Sequence, residues 1–234
     1  MGITTSAFSE SYKITETSSG VLRCGKALIL ETPNMSKEKP TLLFFGGKGE
    51  RSSARKTAKL LENVTVYENW NVCYIAVSRD NGYIREWRDV ADSLYYYIEQ
   101  RIKEKKINPY NIYIDGYSNG SAGAFYTTLK LHNMRLILDD VTATVKVREL
   151  TLIEGTLPGI IKPPQIEQIL SMNIPMTLYV SAGSSYNLSA HGRDLVKKFK
   201  NRENFTGILV DHGHGSAIVA LVSNAYGNHT TDGY

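Results

Sequence analysis

The sequence predicts an α/β protein: a mostly parallel sheet with helices on both faces and an antiparallel hairpin at the N-terminus. Three observations carry this. Short, wholly apolar runs such as Thr41-Leu-Leu-Phe-Phe45 and Val72-Cys-Tyr-Ile-Ala-Val77 have strand length, and unbroken hydrophobicity means burial on both faces. Between such runs lie stretches whose apolar residues recur at helical spacing, so strands and helices alternate. Finally, 234 residues with 42% apolar and 21% charged side chains can bury one good core without disulfide or metal staples. One domain over residues 1–234 is expected, with a loose polar tail from about 225.

The elements follow in order. Tyr12 to Thr15 and Leu22 to Thr32 are β-rich and flank Ser18-Ser19-Gly20, which predicts the opening hairpin. Pro33 and Pro40 bracket a polar loop, and the Thr41–Phe45 strand ends in Gly46-Gly47-Lys48-Gly49. Ser52 or Ser53 caps a helix through Ala54, Ala58, Leu60 and Leu61, followed by the Val72–Val77 strand. A long helix places Trp87, Ala91, Leu94, Ile98 and Ile102 on one face, with Arg88, Asp92, Glu99 and Lys103 away from it. Asn108-Pro109 stops it. Glu149–Ile153 and Met176–Val180 are strands, with a helix between them introduced by Pro163-Pro164 and running through Ile166, Ile169 and Leu170. A helix near 193–199, a strand near 207–210 and a helix through Ala217, Ile218, Leu221 and Val222 complete the chain.

Chemistry concentrates at Asn111 to Gly123. The apolar Ile112-Tyr-Ile114 enters Gly116-Tyr117-Ser118-Asn119-Gly120 and leaves into Ala122, Ala124, Phe125, Leu129 and Leu131: strand, sharp turn, helix. A serine on such a turn takes a strained backbone that lifts its hydroxyl clear of the sheet, and small flanking residues avoid collisions. Ser118 then lies at a helix N-terminus, where N–H groups favour developing negative charge.

A serine hydroxyl needs a base within hydrogen-bond reach. Of the five histidines, His214 and His212 sit in Asp211-His-Gly-His-Gly215 just after the last strand; His214 is favoured because Gly213 and Gly215 free its ring. His132, His191 and His229 lie at a helix end, in a polar loop and in the tail. Gly47 and Asn119 can offer backbone N–H groups to a substrate oxygen. Ligands of parallel sheets bind at the carboxyl ends of strands, where Ser118, Gly46-Gly47 and His214 are all expected.

Asp89-Val90, the helix after it, Ile107-Asn108-Pro109 and Ile112-Tyr-Ile-Asp-Gly-Tyr-Ser-Asn-Gly120 resemble the corresponding block of α/β-hydrolase serine esterases. The closer likeness is to the branch of feruloyl esterases and polyhydroxybutyrate-depolymerase-like enzymes. The resemblance covers about Asp89 to Phe125, and more loosely the Gly46-Gly47 strand and the His214 turn. It implies the α/β-hydrolase fold, Ser118 as nucleophile, His214 as base, and Gly47 with Asn119 as oxyanion donors. The pattern departs at the acid. The family sets an aspartate after the strand matching Met176–Ala182, and here that slot reads Gly183-Ser-Ser-Tyr-Asn187. Glu154, ending the preceding strand, is the favoured replacement; Asn187 could orient the imidazole without a charge, and Asp194 and Asp211 are weaker alternatives.

The expected function is therefore serine-dependent ester hydrolysis through an acyl-enzyme, with no metal or organic cofactor and a small-molecule or carbohydrate-linked ester as substrate. The rival is a weak or inactive protein of this fold serving as a binding or assembly component, for which the missing aspartate argues. A formal charge of +4, spread apart from Arg101-Ile-Lys-Glu-Lys-Lys106 and Lys197-Lys-Phe-Lys-Asn-Arg202, gives no nucleic-acid footprint; both clusters read as solvated helix faces. No segment has the length of a membrane span and no basic-then-apolar leader opens the chain, so a cytoplasmic location is expected. Cys24 and Cys73 suit neither a disulfide framework nor a zinc site, although one pairing between them is open.

Overall fold

The computed structural model describes residues 13–18, 20–47, 55, 58, 69–77, 84–138, 141–155, 161–181 and 187–210. Eleven strands run in chain order as β1 (Ile14–Glu16), β2 (Leu22–Cys24), β3 (Ala27–Glu31), β4 (Thr41–Phe45), β5 (Asn71–Val77), β6 (Ile112–Tyr117), β7 (Arg135–Leu138), β8 (Val141–Thr144), β9 (Val147–Ile153), β10 (Met176–Ser181) and β11 (Phe205–Val210). Four helices are described among them: α1 (Ile84–Lys103), α2 (Gly120–Leu131), α3 (Pro163–Ser171) and α4 (Asn187–Phe199).

Nine strands form one sheet in the order β1-β2-β3-β5-β4-β6-β9-β10-β11. From β5 to β11 every pairing is parallel, while β1, β2 and β3 join antiparallel, β3 lying against β5. The all-apolar β4 is buried along its whole length, as its sequence requires. From β4 the chain steps outward to β5, then crosses back past β4 to β6 and builds in the other direction. The sheet therefore reverses its winding between β4 and β6, and that is where a doubly wound sheet opens a crevice at its carboxyl edge.

On one sheet face α1 buries Trp87, Val90, Ala91, Leu94, Tyr97, Ile98 and Ile102. The Trp87 and Phe45 rings meet edge to face at 5.9 Å. Helix α2 is buried on nearly every side because it lies between α1 and the sheet. Along β6, Ile112, Ile114 and Gly116 belong to this face, and Tyr113, Asp115 and Tyr117 point to the other.

Several expectations need correction. The Leu22–Thr32 run is two strands, broken at Gly25-Lys26 where Gly25 takes φ +53°. The β7–β8 hairpin, a separate antiparallel pair between α2 and β9, was not foreseen. Helix α4 begins at Asn187 rather than near Arg193, and β11 at Phe205 rather than Gly207. Arg101 is not on a solvated face: it is 7% exposed and its Nε donates to Glu31 Oε1 at 2.5 Å, whereas Lys197, Lys198, Lys200 and Arg202 are exposed as expected. The two cysteines are buried thiols that no disulfide joins. Arg55 and Ala58 are helical; the rest of the predicted helix through Leu61, the helix through Val222 and the tail lie outside the described residues.

Candidate active site

Three adjacent parallel strands end side by side: β4 before Gly46-Gly47, β6 before Ser118, and β9 before Glu154. Ser118 takes φ +50°, the left-handed backbone that the sequence motif predicts. Its amide donates to the Ile153 carbonyl at 2.8 Å, so the turn is tied to the end of β9. The strain costs a serine on the order of 1–3 kcal/mol and persists only where the surroundings enforce it. They do so here through close packing. A Cβ on Gly120 would fall 2.4 Å from the carbonyl oxygens of Phe45 and Gly46, and one on Gly116 would fall 2.5 Å from Ser121 Cα.

Helix α2 begins immediately after the turn. Asn119 is its N-cap at φ −61°, ψ −28°, without a side-chain cap bond, and the Ser121 amide donates to the Ser118 carbonyl at 3.1 Å. The amides of Asn119 and Gly120 precede any carbonyl that the helix could offer them, and the partial positive charge of the helix terminus is focused on this turn. Gly47 lies against Ser118 from the β4 side: a Cβ there would be 3.1 Å from Ser118 Cβ. The two expected oxyanion donors, Gly47 and Asn119, thus flank the serine.

Glu154 has φ +51° and is 6% exposed; its amide donates to the Tyr179 carbonyl at 2.9 Å, which fixes it between the ends of β9 and β10. Ser118 and Glu154 are therefore left-handed residues at neighbouring strand ends. The other non-glycine residues of this conformation among those described are three asparagines, which tolerate it, and Lys105 at the end of α1. Gly155 was not anticipated: a Cβ there would sit 1.7 Å from Ser121 Oγ and 2.5 Å from the Ser118 carbonyl, so the turn seats against β9 only because residue 155 has no side chain. A glycine two positions after the end of a strand was the available signal.

Below the strand ends, on the face away from α1, Phe44, Asp115 and Thr151 stand in register across β4, β6 and β9, with Tyr117, Ile153 and Tyr179 in the row above. Burial, then Glu149 and Asp115, push the Tyr179 hydroxyl up to about 12, so it stays neutral.

Two histidines can be placed. His132 lies past the far end of α2, a 12-residue helix and hence about 18 Å along it, with Nδ1 accepting from the Val147 amide at 3.3 Å. Burial and Lys146 hold its pKa below the usual imidazole value. His191, on α4, meets the Ile161 carbonyl at 2.9 Å through Nε2. His212, His214, His229 and Asp211 lie outside the described residues, as does the Asn187 side chain; Asp194 is exposed on α4. No group of three or more metal-ligating side chains occurs among the described residues, and none of their helices is long and apolar enough to cross a membrane.

No protein-family model and no curated protein matches the chain. Solved structures do. A thermophilic esterase from the Planctomycetes species Thermogutta terrifontis matches at TM-score 0.57 and 13% identity over 94% of this chain and 91% of its own. An α/β hydrolase enzyme from a Medee basin deep-sea metagenome library gives 0.56 and 17% over 87% and 83%. The Bacillus cereus carboxylesterase gives 0.53 and 16% over 86% and 94%. With the sheet order and the strand-turn-helix at Ser118, this likeness defines the chain's architecture as the α/β-hydrolase fold.

Proposed function

We propose that the chain is a single-domain, serine-dependent acyl hydrolase of the esterase type. The carrying observation is Ser118 at φ +50° on a strand-to-helix turn, at the point where the sheet reverses its winding. In the proposed reaction, Ser118 Oγ attacks the ester carbonyl while His214 takes its proton. The oxyanion is held by the Gly47 and Asn119 amides. Collapse of the tetrahedral adduct breaks the C–O bond, the proton passes to the leaving alkoxide, and water then releases the acyl group by the same steps.

Two engaged histidines, His132 and His191, support a base drawn from the Asp211–Gly215 stretch. Glu154 is the proposed orienting acid, supported by its burial and left-handed backbone on the strand beside the serine. The chemistry needs neither metal nor organic cofactor. The placement of the chain in the feruloyl esterase and polyhydroxybutyrate-depolymerase-like branch rests on the sequence motif alone. Small-molecule or carbohydrate-linked esters are the proposed substrates, in keeping with the esterases among the similar folds. Two buried reduced thiols suit a cytoplasmic location.

A fluorophosphonate probe tests the reading. Stoichiometric labelling of the intact chain that vanishes in Ser118→Ala is expected. One observation favours a second reading: residues 183–187 contain no carboxylate, which suits an inactive binding component. An unlabelled wild-type chain would select that reading.

A further inference from the structure

The edge of the sheet remote from Ser118 carries a groove of about 570 Å³ that the proposed hydrolysis does not use. Parallel strands β4 and β6 begin here and end at the candidate site, about 17 Å away along a five-residue strand. The groove lies where the end of α1, the Asn108–Tyr110 turn, the loop before β4 and the β7–β8 hairpin meet. Its floor is aliphatic, formed by the buried Ile102 and Ile107, while Tyr110 and Ile137 stand 48% and 75% exposed at its rim.

The walls are preformed. The Lys37 amide donates to the Lys105 carbonyl at 3.3 Å, and buried Asn71 Nδ2 donates to the carbonyls of Ser36 at 2.7 Å and Lys106 at 3.2 Å. Arg148 Nε donates to the Tyr110 carbonyl at 2.7 Å, holding the turn against β9. Walls held this way lower the ordering cost of binding.

Its charge is one-sided. Lys37, Lys103 and Lys105 line it with Glu38 alone opposing them. Lys103 is taken up by Glu99 at 2.6 Å, Lys37 reaches Glu38 only at 3.9 Å, and Lys105 joins none of the ion pairs among the described residues. Three lysines against one glutamate thus flank an apolar floor, and among the described residues Lys37 is only loosely paired and Lys105 is in no ion pair.

We propose that this groove docks an acidic segment of a partner protein. A bulky apolar side chain of that segment seats between Tyr110 and Ile137, with carboxylates beside it on Lys37 and Lys105. A nucleic acid fits less well, because Glu38 and Glu104 interrupt the basic track and the floor offers aliphatic carbon in place of stacked aromatic rings.

The test is fluorescence anisotropy on the full chain with a short fluorescein-labelled peptide of glutamates around one central phenylalanine. Saturable binding is expected, weakening as salt is raised and by on the order of tenfold in Lys37→Glu/Lys105→Glu. Should that double variant misfold by circular dichroism, Ile137→Ser at an exposed position carries the comparison, with weaker binding again expected. Absence of saturation, undiminished binding in the variants, or equal affinity for a single-stranded oligonucleotide of matched charge would overturn the proposal. Repeating the titration with Ser118→Ala keeps it independent of the hydrolase reading, since groove binding is expected to be unchanged there.

Discussion

At Ser118 and Glu154 the backbone adopts the same unfavourable conformation one strand apart, with φ of +50° and +51°. For the serine, the motif made this legible: glycines two residues to either side announce a turn in which only close packing forces the conformation. Gly120→Ala tests that packing, since its Cβ has no space beside the Phe45 and Gly46 carbonyls; a loss of about 1–3 kcal/mol in denaturant-derived stability is expected, with loss of any turnover. For the acid, the sequence favoured Glu154 over Asn187, Asp194 and Asp211 only weakly, because which carboxylate stands beside an imidazole depends on where strands end in space. Glu154 is buried between the ends of β9 and β10, and its role as the acid is part of the proposal. Glu154→Gln is expected to lower kcat on the order of a thousandfold with little change in KM for p-nitrophenyl acetate, while Asn187→Ala leaves both unchanged. The opposite pattern would give the role to Asn187.

Among the elements, α1 shows how far periodicity reads. Its predicted apolar face, Trp87 through Ile102, is the buried one. Its last turn was misread, since Arg101 was counted with a solvated basic cluster, yet its Nε and the Tyr97 hydroxyl both donate to Glu31 Oε1 at 2.5 Å, joining the helix to β3. Nothing local announces such a bond, because Glu31 lies 70 positions away. Arg101 keeps a second partner, Glu104 at 2.6 Å from its Nη1, so Glu31→Ala removes the link to β3 without stranding the guanidinium and is expected to cost about 1–2 kcal/mol in urea unfolding. The β7–β8 hairpin escaped notice for a different reason. Leu136 is buried and Ile137 exposed, as strand alternation requires, but Asp139-Asp140 between the strands is not the Asn-Gly or Asp-Gly pair that marks a tight hairpin.

For the whole molecule, fold class was the most legible feature, since alternating apolar runs and amphipathic helices leave few topologies beyond a doubly wound parallel sheet. The antiparallel third strand was less so, because only a single glycine at positive φ splits what reads as one continuous run. Burial also gives the fold a pH dependence. Desolvation raises the Cys24 thiol to about 11 and the Cys73 thiol to about 12, and Tyr179 is raised to about 12. Each group is held neutral in the folded state and ionises more readily once unfolded. Their contribution is complete below pH about 8.5 and is lost as pH rises through the folded values. The urea midpoint is therefore expected to fall steadily from pH 9 upward, and neither thiol to react with a disulfide reagent before unfolding.

The central claim is that the hydroxyl presented at the turn between β6 and α2 becomes acylated. Rapid acid quench during turnover of p-nitrophenyl acetate, followed by mass spectrometry of the proteolysed chain, reads this directly. The account predicts one acetyl group on the peptide containing Ser118 and none in Ser118→Ala. Turnover proceeding with no adduct, or with the adduct on another residue, would contradict it.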